Sequence, residues 1–249
     1  VDFWLKTSGT WINILTVAIG TTLGLTLKQR LTPKMQLIIT QGIGLTTIWI
    51  GLNMTNTLAQ VKTGGIDGAI LGLLAVVIGG ILGEWWQIET KLTGIGDWLK
   101  HKFRGRGAFT EGFVASSLLF CVGPMTLLGC LNNGLTGDNT LLSLKATMDG
   151  IVAIPLANIY GIGVGFSIIV LFFYQGGLSL AAGAVADLIR DPASDPHILL
   201  ATGVGGITII AIGLNLLEIA KVRVASLLPA IAVAPIIYYF ANLIGQNLL

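Results

Sequence analysis

Charge is what this sequence has least of. Only 10% of its 249 residues are Asp, Glu, Lys or Arg, against 53% hydrophobic ones, and the mean hydropathy is +0.84. A compact globule of that composition lacks the polar surface to stay in water, so the bilayer is the expected solvent. Cysteine is nearly missing. Cys121 and Cys130 share one apolar run, which gives neither a disulfide framework nor a metal-ligand spacing, and both are expected as buried free thiols. The two histidines, His101 and His197, fall in expected loops, so no metal site and no cofactor is assigned. The chain has no acidic or basic tail, basic patch or low-complexity tract, and nucleic acid drops out of the expected partners. It also has no Gly-x-Ser-x-Gly elbow, His-Glu-x-x-His, phosphate loop or paired intramembrane aspartates. No catalytic residue is assigned, and an enzyme is not expected. A membrane-embedded transferase or hydrolase using Asp149 with Glu84 or Glu111 is the least favoured alternative.

What the sequence has instead is long apolar runs. Crossing about 30 Å of hydrocarbon takes roughly 20 helical residues, and eight runs of that length stand between polar punctuation, near 9–28, 35–58, 67–88, 109–132, 140–160, 162–187, 197–219 and 224–246. They lack the alternation of barrel strands, so the expected fold is an all-α polytopic membrane protein forming one transmembrane domain over 1–249. The first run carries no cleavage pattern and is read as a retained span. The fifth contains Lys145, Asp149 and Pro155 and could be a re-entrant arm, which would leave seven spans.

Lys and Arg arbitrate, because short cytoplasmic loops collect them. Lys28, Arg30 and Lys34 follow the first span, Lys91, Lys100, Lys102, Arg104 and Arg106 the third, and Lys221 and Arg223 the seventh. Eight spans place all three clusters on one side and both termini on the non-cytoplasmic side. Seven spans would strand Lys221 and Arg223 on the wrong face.

Two internal echoes run through these spans. Leu15 to Gly24 (LTVAIGTTLG) matches Leu74 to Gly83 (LAVVIGGILG) at identical spacing, and Gln41 to Asn53 (QGIGLTTIWIGLN) resembles Thr202 to Asn215 (TGVGGITIIAIGLN) with one insertion. The second pair joins spans of opposite direction, as expected of an inverted repeat in secondary transporters. Gly20 with Gly24, Gly79 with Gly83, and Gly161 with Gly165 have the four-residue spacing of close helix packing. Asn53 and Asn215, matched by the longer echo, are expected at helix–helix hydrogen bonds or symmetric gate contacts. Pro124, Pro155, Pro229 and Pro235 fall within spans, and each is expected to remove a donor and free a carbonyl that must find another partner.

Polar groups at mid-membrane are the candidates for function, since a charge there costs about 2.5–3.5 kcal/mol even on lenient scales. Asp149 lies four residues after Lys145, on the same helix face. It either binds a cation or cycles a proton, or it pairs with Lys145 for structure alone, and both readings stay open. Tyr174 and Gln175 are central on the sixth span, where Gly176 and Gly177 are expected to allow close backbone approach. Ser116, Ser117, Thr126 and the break from Cys121 to Pro124 lie at comparable depth on the fourth. The candidate substrate- or ion-binding set is Asp149, Gln175, Tyr174, Ser117 and Thr126.

Between the third and fourth spans, Lys91 to Phe103 (KLTGIGDWLKHKF) puts Leu92, Ile95, Leu99 and Phe103 on one stripe and reads as an interfacial amphipathic helix anchored by Trp98, with a basic face toward anionic lipid. Trp85 and Trp86 just before it suit an aromatic belt.

The combination of Glu84, Gly96 to Lys100 (GDWLK), Glu111 to Phe113 (EGF), Ser117 to Gly123 (SLLFCVG), Gly134 to Asp138 (GLTGD), Met148 to Gly150 (MDG), Tyr174 to Gly176 (YQG) and Gly213 to Asn215 (GLN) resembles the YdfK/YqgA-like bacterial membrane proteins, domain of unknown function 554. That resemblance covers nearly the whole chain and implies a multi-span protein of the bacterial plasma membrane. It carries no substrate or catalytic residues. The polar run from Arg190 to His197 is a local departure in a loop. The reading that follows is a small-solute or ion transporter, with coupling to a cation or proton as one form of it. The alternative is a non-transporting membrane subunit or assembly factor. Expected partners are the lipid bilayer, a small solute or ion, and further copies of the chain in a homo-oligomer.

Overall fold

The computed structural model describes residues 3–28, 32–63, 65–121, 124–185 and 194–247. Arg30, Val122 and Gly123 at the expected break, and the polar run from Arg190 as far as residue 193 lie outside the described residues. In chain order the helices are α1 (Phe3–Lys6), α2 (Ser8–Lys28), α3 (Pro33–Thr55), α4 (Gly68–Trp85), α5 (Ile88–Lys102), α6 (Phe109–Cys121), α7 (Pro124–Thr136), α8 (Thr140–Tyr160), α9 (Gly163–Val185), α10 (Pro196–Leu216) and α11 (Pro229–Asn247). A two-residue hairpin, β1 (Lys62–Thr63) with β2 (Ile66–Asp67), pairs Lys62 opposite Asp67 between α3 and α4. Seven helices among the described residues are long and apolar enough to cross a bilayer, or eight if the bent pair α6 and α7 is one span. The chain is an all-α polytopic membrane protein.

Local chemistry sets several boundaries. The Asp67 carboxylate accepts the Ala69 N–H at 2.9 Å to open α4, and Asp195 accepts from His197 at 2.8 Å ahead of Pro196 to open α10. Such caps are worth about 1 kcal/mol each. Before α8, the hydroxyl and the backbone N–H of Thr140 both donate to Asp138, holding its carboxyl below the usual range. Gly161 ends α8 at a φ of 82°, a left-handed conformation open to glycine. The expected pairing of Gly161 with Gly165 therefore does not form, because Gly161 lies in a turn.

The fifth segment, suspected of being re-entrant, is the continuous helix α8. The break falls one segment earlier. What reads as a single run over 109–132 is α6 and α7, bent by 69°. Pro124 is the physical reason, since proline has no N–H to offer the carbonyl four residues back.

By contacts the chain divides into two compact units, residues 1–43 with 92–190 and residues 44–91 with 191–249. In the first, α2 and α8 run parallel along their glycine faces. A β-carbon on Gly20 would strike the Gly150 carbonyl oxygen, and one on Gly24 the Ile154 carbonyl oxygen. Leu15, Ile19 and Leu23 on the opposite side of α2 are exposed, as befits a lipid-facing side. The bent pair tracks α9 in parallel. Gly163 at the start of α9 meets the Phe109 backbone, and Gly134 near the end of α7 meets the Ser179 backbone. Helix α5 packs Leu99 with Phe109 and Phe113. The apolar stripe divides, with Leu92 and Leu99 turned toward the protein and Ile95 and Phe103 exposed, as is the expected anchor Trp98.

In the second unit, α4 and α11 run antiparallel around Leu71, Ala75, Ala230 and Ala234. Gly79 faces the Ala230 backbone and Gly83 the Ser226 carbonyl. The C-terminal half of α3 lies antiparallel against α10. A β-carbon on Gly51 would meet the Gly206 oxygen and Ile210 at 2.7 Å, and one on Gly213 would meet Ile48 at 2.6 Å and the Gly44 oxygen at 2.9 Å.

Candidate functional site

The buried charges among the described residues are Lys145 and Asp149, both on α8 in the first unit. One helical turn apart, they form an ion pair with Lys145 Nζ 2.5 Å from Asp149 Oδ2. The same ammonium donates to the Phe120 carbonyl at 2.5 Å. That carbonyl is the one whose helical partner would be the N–H of residue 124, where proline has none. Phe120 also lies at the C-terminal end of α6, where the helix dipole favours a cation. The lysine thus fills the vacancy that the proline creates.

Two amides extend this arrangement. The Asn13 Nδ2 of α2 donates to Asp149 Oδ2 at 2.9 Å and to Gln175 Oε1 of α9 at 3.1 Å. Asn13 and Gln175 are fully buried, and Asn13 Oδ1 and Gln175 Nε2 have no hydrogen-bond partner. Cys130 Sγ donates to the Gln175 carbonyl at 3.4 Å. Four elements, α2, α6, α8 and α9, therefore meet at one chain of polar contacts, from Phe120 through Lys145, Asp149 and Asn13 to Gln175.

Of the candidates read from the sequence, Asp149 and Gln175 are brought together, through Asn13 and not directly. Ser117 and Thr126 are buried on either side of the helix break, each with a hydroxyl lacking a hydrogen-bond partner. Tyr174 is half-buried. Gly177 does not provide a close backbone approach, since nothing lies within 4 Å of where its β-carbon would be, and Gly176 would meet only a Thr10 methyl at 3.7 Å. Asn53 donates to the Trp49 carbonyl one turn back, and Asn215 closes a local loop by bonding both the N–H and the carbonyl of Val222. The bonds these two asparagines make are local ones.

Sequence reasoning missed Asn13. Its signal was an amide inside the apolar run WINILTVAIG, partly hidden because the run was read for its glycines. Asn133 also went unassigned, because it lies just past the apolar run over 109–132. It is fully buried, accepts the Gly9 N–H, and donates to the Leu5 carbonyl and Ser8 hydroxyl, tying α7 to the start of α2.

The second unit is different in character, with hydroxyls as its buried polar side chains, Thr47, Thr63, Thr202, Thr208 and Ser226. Its charged contacts are peripheral. Glu84 takes Arg223 at 2.6 Å and the Ser226 hydroxyl at 3.3 Å, and Glu89 accepts the Ala225 N–H at 2.7 Å. These bonds hold the 3₁₀ turn Val224–Leu227 ahead of α11.

Residues 8–239 match the family model described as "Protein of unknown function (DUF554)". The chain is 30% identical over 238 residues to the "Uncharacterized membrane protein YdfK" of Bacillus subtilis (strain 168), covering 95% of this chain and 98% of that one. It is 29% identical over 233 residues to the "Uncharacterized protein YqgA" of Escherichia coli (strain K12), covering 91% and 94%. No solved structure matches it. The apolar helices and the extent of these matches lead to one conclusion, that the chain is a multi-pass bacterial membrane protein and belongs to the DUF554 family.

Proposed function

We propose that this protein is a transporter of a small solute or ion, coupled to a cation or proton, with Asp149 as its central ligand and Gln175, Ser117, Thr126 and Tyr174 around it. The observation that carries the reading is the buried Lys145–Asp149 pair held on the carbonyl that Pro124 frees in a broken span. Discontinuous helices with unpaired backbone oxygens are how many transporters build ion sites at mid-membrane. A buried ion pair is a weak device for stability alone.

The inverted repeat belongs to the same proposal. Counting back from the shared Gly-Leu-Asn ending, Gly51 is equivalent to Gly213, Ile48 to Ile210 and Gly44 to Gly206. The contacts obey that exchange, with Gly51 on Gly206 and Ile210, and Gly213 on Gly44 and Ile48. Such reciprocity is what a two-fold axis between antiparallel helices produces, and in a bilayer that axis lies in the membrane plane. Eight crossings with the basic clusters inside put both termini outside the cytoplasm. Helix α5 then lies at the cytoplasmic interface with Trp98 and Phe103 turned toward lipid and Lys102 stacked over Trp98 at 4.6 Å.

The test is the double variant Lys145→Gln/Asp149→Asn, which removes both charges while keeping an amide donor for Phe120 and an acceptor for Asn13. In pyranine-loaded proteoliposomes given gradients of alkali salts, amino acids, organic acids or polyamines, wild-type protein is expected to move protons with one class of solute. The folded double variant is expected to be silent. Equal flux in both would remove Asp149 from the mechanism, and silence of wild-type protein across the panel would favour a non-transporting subunit.

A further inference from the structure

Lys145 stands where a mobile cation would be expected. Its ammonium touches a carboxylate oxygen and a backbone carbonyl oxygen, Asp149 Oδ2 and Phe120 O, each at 2.5 Å. Further buried oxygens on α2, α6 and α7 have no hydrogen-bond partner. Asn13 Oδ1 belongs to the amide bonded to Asp149, Ser117 lies one turn before the freed carbonyl, and Thr126 opens α7. All three side chains are at least nine-tenths buried. A donor set of oxygens alone suits a hard cation and not a thiolate-seeking metal. Removing the ammonium would leave a buried carboxylate and a helix C-terminus with no positive charge between them.

We propose that Lys145 is a tethered stand-in for an alkali-metal cation, and that such a cation displaces it from Asp149 and the Phe120 carbonyl. The inference deepens the transporter reading and rests on it for direction, not for the site itself. The step balances without a co-reactant. The alkali cation takes the two oxygens, the Nζ of Lys145 releases one proton to water, and the neutral amine withdraws. Net charge in the site is zero before and after, so one cation exchanges for one proton at no cost in buried charge. The titratable groups facing the pair are Cys121 of α6, with Cys130 of α7 and Tyr174 of α9 beyond it, while α2 presents Asn13 and Thr16, which do not titrate. In the proposed exchange the proton leaves from Lys145, because its ammonium is the group that the cation displaces from Asp149 and Phe120.

The experiment is thermal unfolding of the detergent-purified full chain with sodium, lithium or potassium chloride against choline chloride at constant ionic strength. Lys145→Ala is expected to gain a saturable shift of several degrees with one or more alkali cations. The shift should vanish in Lys145→Ala/Asp149→Asn. Where Lys145→Ala yields no folded protein, Lys145→Gln serves. Wild-type protein carries the test without substitution, because a cation competing with one proton reaches half-saturation at about tenfold lower concentration for each pH unit gained. Folded Lys145 variants and wild-type protein that respond to alkali cations no more than to choline would overturn the inference. Parallel proteoliposome flux separates the two readings. Flux without cation binding keeps the transporter and removes the tethered cation, whereas cation binding without flux does the reverse.

Discussion

At the residue scale, the pairing at Asp149 governs what a single substitution can reveal. Asp149→Asn leaves the Lys145 ammonium buried with a carbonyl as its main partner. Breaking one side of a buried pair costs about 3–5 kcal/mol, whereas removing both charges is often neutral. Thermal unfolding in detergent is therefore expected to rank Asp149→Asn well below Lys145→Gln/Asp149→Asn, with the double variant near wild type. If the single variant melts as wild type does, the pair is not desolvated in the membrane-embedded protein. Asn13→Leu should cost about 1.5–3 kcal/mol, the range for a hydrogen bond to a charged group, and its melting point should fall accordingly. Asp149 and Lys145 could be found by reading letters, because ionised side chains are rare in apolar runs. The Phe120 carbonyl could not, since every residue has one and only the position of Pro124 relative to a folded helix makes it an orphan.

At the element scale, glycine does different work at different positions. Gly51 and Gly213 face each other's equivalents across α3 and α10, so Gly51→Ala and Gly213→Ala are expected to destabilise by similar amounts, about 1–3 kcal/mol for overpacking. Gly177→Ala on α9, with open space around it, should be neutral or stabilising by up to about 1 kcal/mol from helix propensity. Melting points of the three variants check this, and unequal losses at positions 51 and 213 would argue against a two-fold relation. The identical spacing of Gly20 with Gly24 and Gly79 with Gly83 showed two close-packed faces, but not their partners. One faces α8 in parallel and the other the start of α11 in the opposite sense. A break from Cys121 to Pro124 was legible in the sequence, but not that it alone among the candidate prolines coincides with a sharp bend. Pro155 sits inside α8 and Pro235 inside α11, each leaving its helix continuous, while Pro124 coincides with a bend of 69°. At the bend the freed Phe120 carbonyl takes a donor from Lys145.

At the scale of the whole molecule, topology follows from counting. The proposed topology takes the bent pair α6 and α7, which tracks α9, as one crossing; that makes eight and implies both termini on one face. Fusions after residue 247 are expected to give active periplasmic phosphatase and dark fluorescent protein. The opposite pattern would reverse the assignment of the basic clusters to the cytoplasm. The amphipathic stretch at 91–103 had a recognisable apolar stripe, yet that stripe is shared between protein and exterior. Leu99 is taken by Phe109 and Phe113, and periodicity cannot say which of two apolar surroundings a side chain enters.

Hydrophobicity and charge placement were enough to define the membrane class, the number of apolar runs and the rarity of Asp149, because a bilayer penalises polar groups one residue at a time. Pairing was not accessible in that way. Asn13, Phe120, Lys145, Asp149 and Gln175 meet because α2 and α8 close on their glycines and α6 breaks at Pro124. A hydrogen-bond network spanning four elements is a property of distances between chain segments, which no local pattern encodes.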